Sequence, residues 1–113
     1  MKKKNIIAEK SFTFALRIIK LQQFLLDEKN EFILSKQILR SGNSICANVE
    51  EAICGQSEKD FKSKLSIAYK EARETHYWLR LLNKSGYIAD NIAQSLLDEC
   101  EKILKICVAL STN

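Results

Sequence analysis

Apolar residues recur along this chain at alternating spacings of four and three, the period of a helix with one buried face. Phe14, Ile18, Leu21 and Leu25 mark a first helix, expected over about residues 9–27. Phe12, Ala15, Ile19 and Phe24 widen its stripe beyond what one buried seam needs, which points to a second contact surface. Leu34, Ile38, Ile45, Val49 and Ala52 mark a second helix over about residues 31–53. The third, about residues 58–84, is the most regular. Phe61, Leu65, Ala68, Ala72, Thr75, Leu79 and Leu82 form an unbroken heptad seam whose centre is small, inviting close approach by residues 42–47 of the second helix. Tyr69, Tyr77, Trp78 and Leu81 lie off that seam. A fourth helix, about residues 90–110, carries Ile92, Leu96, Cys100, Ile103, Cys107 and Leu110.

Short polar connections separate these segments. Asp27 to Asn30 is the first, and Cys54-Gly55-Gln56-Ser57 the second. Gly55 suits the left-handed residue after a helix end, and Ser57 the N-cap of the third helix, with Glu58 and Asp60 favoured by the first-turn dipole. Gly86 ends the third helix and Asp90 is the expected cap of the fourth. Turns this short join antiparallel neighbours. The expected fold is all-α: an up-down-up-down antiparallel four-helix bundle, one domain over residues 1–113. Inside the second helix, Ser41-Gly42-Asn43-Ser44 is a weak point. It predicts a bend or a very close helix approach at Gly42.

Composition agrees. The 113 residues include no proline and three glycines, so turns are few. No apolar run reaches the ~18 residues that would cross a bilayer. Lys2-Lys3-Lys4 is not followed by the apolar core of a signal peptide, so the expected location is cytoplasmic. These first residues read as a solvated, frayed start or as a basic arm for phosphate. The net charge of +4 permits a nucleic-acid or acidic partner without demanding one.

Candidate chemistry is sparse. Cys46 and Cys54 are eight residues apart and Cys100 and Cys107 seven, roughly 10–12 Å along a helix, too far for either pair to share a metal or a disulfide. All four read as small buried core thiols. Glu50, Glu51, Glu71 and Glu74 lie near the single histidine, His76. A di-iron bundle, however, needs Glu-x-x-His on two helices, and the residue three before His76 is Arg73. Neither a nucleophile-elbow context nor a phosphate-cradling glycine loop is present. The residues therefore predict no enzyme, no cofactor and no metal site. What remains is a polar set in the two central helices: Arg40, Ser44, Asn48, Glu51, Glu71, Glu74 and Tyr77. It reads as an internal network that sets helix register, or as an interface. Arg40 is placed to meet an acid of the third helix, and Asn48 to satisfy groups near Gly42.

Two runs carry a family resemblance. One is Gln37-x-x-Arg40-Ser41-x-x-Ser44-Ile45-x-Ala47-Asn48-x-x-Glu51-Ala52. The other opens with Ser57-x-x-Asp60-Phe61 and continues as Leu65-x-Ile67-Ala68-x-Lys70-Glu71-Ala72-x-Glu74-Thr75-x-Tyr77-Trp78-Leu79. Together they closely resemble the bacterial four-helix-bundle family also called 23S rRNA intervening-sequence proteins, over a span from about Ser11 into the fourth helix. Where the family favours a small residue, often glycine, this chain has Cys46. The resemblance implies a small non-enzymatic bundle and a homo-oligomer, a pentamer in several members. In a related group of retroelement accessory proteins it implies work with a reverse transcriptase and binding of RNA or DNA. A pentamer would bury the extra apolar faces and raise the charge to roughly +20. Candidate phosphate contacts are Lys2, Lys3, Lys4, Arg17, Lys20, Lys62, Arg73 and Arg80. The expected function is a nucleic-acid-binding accessory protein, for structured RNA. The alternative is an oligomeric protein-interaction scaffold whose basic charge serves solubility.

Overall fold

Four helices lie along one axis, each beside the next in sequence. The computed structural model describes residues 2–112, the side chain of Lys2 excepted. The helices are α1 (Lys2–Lys29), α2 (Leu34–Ile53), α3 (Glu58–Lys84) and α4 (Asp90–Ser111). A 28-residue helix spans about 42 Å, close to the 44 Å long axis of the molecule. α2 packs most extensively on α3, α1 on α2 and α3 on α4, and α1 against α4 closes the ring. This is the all-α four-helix architecture that the periodicity predicts.

α1 starts a full two turns before the expected residue 9, so the start is helical instead of frayed. The reason is packing. Ile7 is completely buried, and it extends the seam Ile7, Ser11, Phe14, Ile18, Leu21, Leu25 at unbroken four-three spacing. Ser11 hides this continuity in the sequence because it is polar. Buried, it stays satisfied by donating its hydroxyl to the Ala8 carbonyl at 3.2 Å.

The connections also differ in detail. α2 begins at Leu34, three residues later than expected. Glu31 stands before it, nearly buried, and its carboxylate accepts the backbone N–H of Ser35 at 2.8 Å and of Ile33 at 3.3 Å. Asn30 takes the left-handed conformation that turns the chain there, with φ 52°. Gly55 does not: its φ is not positive, and its small size serves the tight approach of the Ala52 carbonyl and the Asp60 side chain instead. Ser57 caps α3 as expected, accepting from the Asp60 N–H at 3.0 Å. Ala89 occupies the cap position of α4, one residue before the expected Asp90. Asp90 instead accepts from Asn83 Nδ2 at 2.9 Å, across the turn.

The seam of α3 is buried at all seven predicted positions, Phe61 to Leu82. In α4 the seam shifts by one at its start: Ala93 is buried and Ile92 is 43% exposed. Gly42 lies at a very close approach within an unbroken α2. A Cβ built there would sit 2.8 Å from Ile18 Cγ2 of α1. Neighbouring Ser41 faces the other way, its hydroxyl 2.9 Å from that of Thr75 on α3. Small residues thus let α2 approach α1 on one flank and α3 on the other.

Candidate nucleic-acid interface

The polar set of the central helices resolves into three separate groups on the α2–α3 face. Arg40 reaches Glu71 at 3.3 Å and Glu74 more closely, and it is steadied by Gln37 Oε1 at 3.1 Å. Glu71 and Glu74 are one turn apart, so a single guanidinium fixes the register of α2 against α3. Trp78 Nε1 donates to Glu74 at 2.9 Å and joins this group. Ser44 and Asn48 form the second: Asn48 Nδ2 donates to the Ser44 carbonyl at 2.8 Å, a bond within α2. Glu51 forms the third, with Lys64 at 2.8 Å. Arg40 is half exposed, so each pair contributes at most about 1 kcal/mol. Tyr77 belongs to none of these groups.

The predicted phosphate contacts also divide. Arg17 is engaged with Glu99 and with Ser95 at 3.0 Å, tying α1 to α4. Lys4 lies over the Phe61 ring, 4.2 Å from its centroid. Lys3 and Lys20 are exposed on α1, and the side chain of Lys2 lies outside the described residues. Lys62, Arg73 and Arg80 share one flank of α3, where they are part of a longer row.

That row is Lys59, Lys62, Ser66, Lys70, Arg73, Tyr77, Arg80 and Lys84. Its spacings are three, four, four, three, four, three and four, so all eight positions fall on one ridge of α3. The ridge runs about 38 Å, at 1.5 Å per residue. Its side chains are exposed, Lys62 half so. The acids Asp60, Glu71 and Glu74 lie instead on the flank toward α2, which leaves Glu58, in the first turn, on the basic side. Among the described residues none of the six ridge cations forms an ion pair, whereas Arg17, Arg40 and Lys64 all do. Arg80 donates only to His76 Nδ1, at 3.2 Å. Lys59, Lys70 and Lys84 are absent from the sequence-based candidates. Their signal is the same four-three spacing that reveals the apolar seam, applied to charge.

Other chemistry is structural. His76 bridges helices, its Nε2 3.0 Å from Glu101 of α4 while Nδ1 accepts from Arg80. Cys46, Cys100 and Cys107 are buried, but Cys54 is exposed at the end of α2, against the expectation of four core thiols. Burial pushes the Cys100 thiol up to about 12, helped by the neighbouring Glu101 charge, and the Cys107 thiol up to about 11. Neither is poised for nucleophilic attack at neutral pH. Among the described residues no three of His, Cys, Asp or Glu gather to hold a metal ion. A groove of about 360 Å³ between α1 and α4 is lined by Leu21, Phe24, Ile88, Ile92 and Leu96, with Arg17 and Lys20 beside it. It is almost wholly apolar and presents no acid–base pair. No helix among the described residues is long and apolar enough to cross a membrane.

The comparisons with known proteins agree with the four-helix fold. No curated protein matches the chain significantly. A crystal structure of a protein of unknown function from the S23 ribosomal protein family of Bacteroides thetaiotaomicron VPI-5482 is 46% identical. The match covers 98% of this chain and 99% of that one, with a TM-score of 0.96. The family model for the 23S rRNA-intervening sequence protein matches residues 3–109, nearly the whole chain. With these four helices and these central motifs, the chain belongs to the 23S rRNA-intervening sequence protein family.

Proposed function

We propose that this protein is a non-enzymatic, self-associating helical bundle that binds structured RNA through the basic ridge of α3. The observation that carries the reading is the ridge itself: six cations on one helix flank, none in an ion pair among the described residues. Unpaired cations aligned over ~38 Å suit a polyanion, because each phosphate they neutralise releases condensed counterions. Self-association draws on a different surface. Phe12 (57% exposed) and Leu16 (49% exposed) stand one turn apart on α1, on the side away from its buried seam. Apolar residues clustered in this way mark a contact surface. Copies joined there keep their α3 ridges free and sum their charge. A second reading, an oligomeric scaffold for a protein partner such as a reverse transcriptase, draws on the same apolar surface and assigns the ridge to solubility.

Fluorescence anisotropy with a labelled RNA hairpin and a labelled DNA duplex separates the two. The RNA-binding reading expects micromolar or tighter binding at ~50 mM salt that weakens at least tenfold by ~200 mM. Absence of binding at low salt sinks it and leaves the scaffold. Sedimentation of the same samples reports the assembly, and a monomer at micromolar concentration contradicts self-association.

A further inference from the structure

The ridge has two positions without a cation, Ser66 and Tyr77. Tyr77 is the large one, and its helix neighbours set it apart from the exposed Phe12 of α1. Arg73 stands four residues before it and Arg80 three after, about 6 Å and 4.5 Å along the axis. Lys70 and Lys84 follow one heptad away on each side. The ring is 47% exposed, and its hydroxyl makes no hydrogen bond among the described residues. It is nevertheless held. Trp78 meets it in a T-shaped contact, centroids 4.9 Å apart and planes at 60°. Trp78 is itself half-buried against the core and tied through Nε1 to Glu74, which Arg40 holds in turn. Phe12, also exposed, has Ala8, Glu9, Ala15 and Leu16 at the corresponding helix positions and no cation among them.

An aromatic ring braced by a neighbouring indole, with much of its surface in water and cations on both sides along a straight row, matches a nucleotide unit. The cations meet phosphates and the ring meets a base. A paired base keeps its faces stacked inside the duplex and is unavailable. An unpaired base, in a loop or a single strand, can be splayed onto the ring. Resting on the reading of the ridge as a polyanion site, we infer that Tyr77 is a base-stacking platform and that the protein favours unpaired over paired polynucleotide. The ring reads no base edge, so base identity matters little and the strand is recognised by its unpaired state.

The test uses the full chain and labelled twelve-nucleotide RNA and DNA single strands, each also annealed to its complement, by anisotropy at ~50 mM salt. Wild type is expected to bind either single strand at least tenfold more tightly than its duplex. Tyr77→Phe keeps the ring and is expected to stay within twofold of wild type. Tyr77→Ala is expected to lose about tenfold or more on single strands, less than threefold on duplex, with an unchanged salt slope. Trp78 is the single tryptophan, so its emission should change when single strands bind and stay constant with duplex. Circular dichroism and the urea midpoint check that each variant is folded. The inference is overturned if Tyr77→Ala binds single strands like wild type, or weakens both forms equally. The variant Lys70→Gln/Arg73→Gln/Arg80→Gln keeps the two readings apart. If it loses binding while Tyr77→Ala does not, the ridge stands and the stacking fails. If wild type binds none of the four nucleic acids, the ridge reading fails and takes the stacking with it.

Discussion

Replacing Gly42 with alanine sets two effects of opposite sign against each other. Alanine is favoured over glycine inside a helix by about 1 kcal/mol, so local propensity alone makes the variant more stable. The packing says otherwise. The new Cβ would lie 2.8 Å from Ile18 Cγ2, 2.9 Å from Cγ1 and 3.2 Å from Cβ, where carbon atoms prefer about 3.5–4.0 Å. Ile18 is fully buried and β-branched, with essentially one helix rotamer, so it cannot swing aside. Overpacking of this kind costs about 1–3 kcal/mol. With two contacts this short, the upper part of that range applies. The expected net effect of Gly42→Ala is a loss of about 1–2 kcal/mol, read as a lower urea midpoint at unchanged m-value and fixed protomer concentration. Ile18→Ala removes the two closest atoms and alone costs about 2–5 kcal/mol. On that background Gly42→Ala should turn neutral or stabilising, a coupling of about 1–3 kcal/mol. A Gly42→Ala protein about 1 kcal/mol more stable than wild type would refute the reasoning, because it would show that α1 and α2 have room to spare.

Three further outcomes follow from the core. Thr75 Oγ1 lies 2.9 Å from Ser41 Oγ and 2.8 Å from the Glu71 carbonyl. One hydroxyl proton cannot serve both, so Thr75 donates to the carbonyl and accepts from Ser41. Thr75→Val should therefore cost about 1–3 kcal/mol in urea melts by orphaning Ser41, and adding Ser41→Ala should recover most of it. The buried thiols make stability fall in alkali. Above pH 9 the unfolded chain ionises while Cys100 and Cys107 stay protonated up to about 12 and about 11. The native state thus binds more protons, and each thiol removes about 1.4 kcal/mol per pH unit over that window. Cys100→Ala should flatten the slope between pH 9 and 11 relative to wild type, and an equal slope would count against the assignment. A colourimetric thiol reagent at pH 8 should find one fast thiol, Cys54, and four only after denaturation.

How far the sequence discloses this protein depends on which force dominates at each position. The seam of α3 is readable because burial there acts alone: from Phe61 to Leu82 every seam position is apolar or Thr75. The start of α1 is not, since Lys2-Lys3-Lys4 and Ser11 obscure a seam that only Ile7, buried against the other helices, extends. The turns mislead in a similar way. Gly55 carries the sequence signal for a left-handed residue, yet its φ is not positive and its small size serves a close approach, whereas Asn30 and Gly86 take the left-handed conformation. Ile92 fits the α4 spacing but lies beside the open groove, and Ala93 is small enough to face the neighbouring helix. At the candidate site, pairing decides the outcome. Arg17 and Arg73 look alike in sequence, but only the structure shows Glu99 beside Arg17 and, among the described residues, no carboxylate paired with Arg73. Lys59, Lys70 and Lys84 were readable by spacing alone. Tyr77 stands in the sequence as one more aromatic residue until its exposure and its bracing by Trp78 are known.

The most direct test of the central claim is the slope of log binding constant against log salt for an RNA hairpin. It should be measured for wild type and for the Lys70→Gln/Arg73→Gln/Arg80→Gln variant. If the ridge of α3 is the binding surface, removing three cations lowers the magnitude of the slope by about 2–3 and weakens binding to hairpin and duplex alike. An unchanged slope in that variant, with wild type still bound, contradicts the account and moves the interface to another face of the bundle.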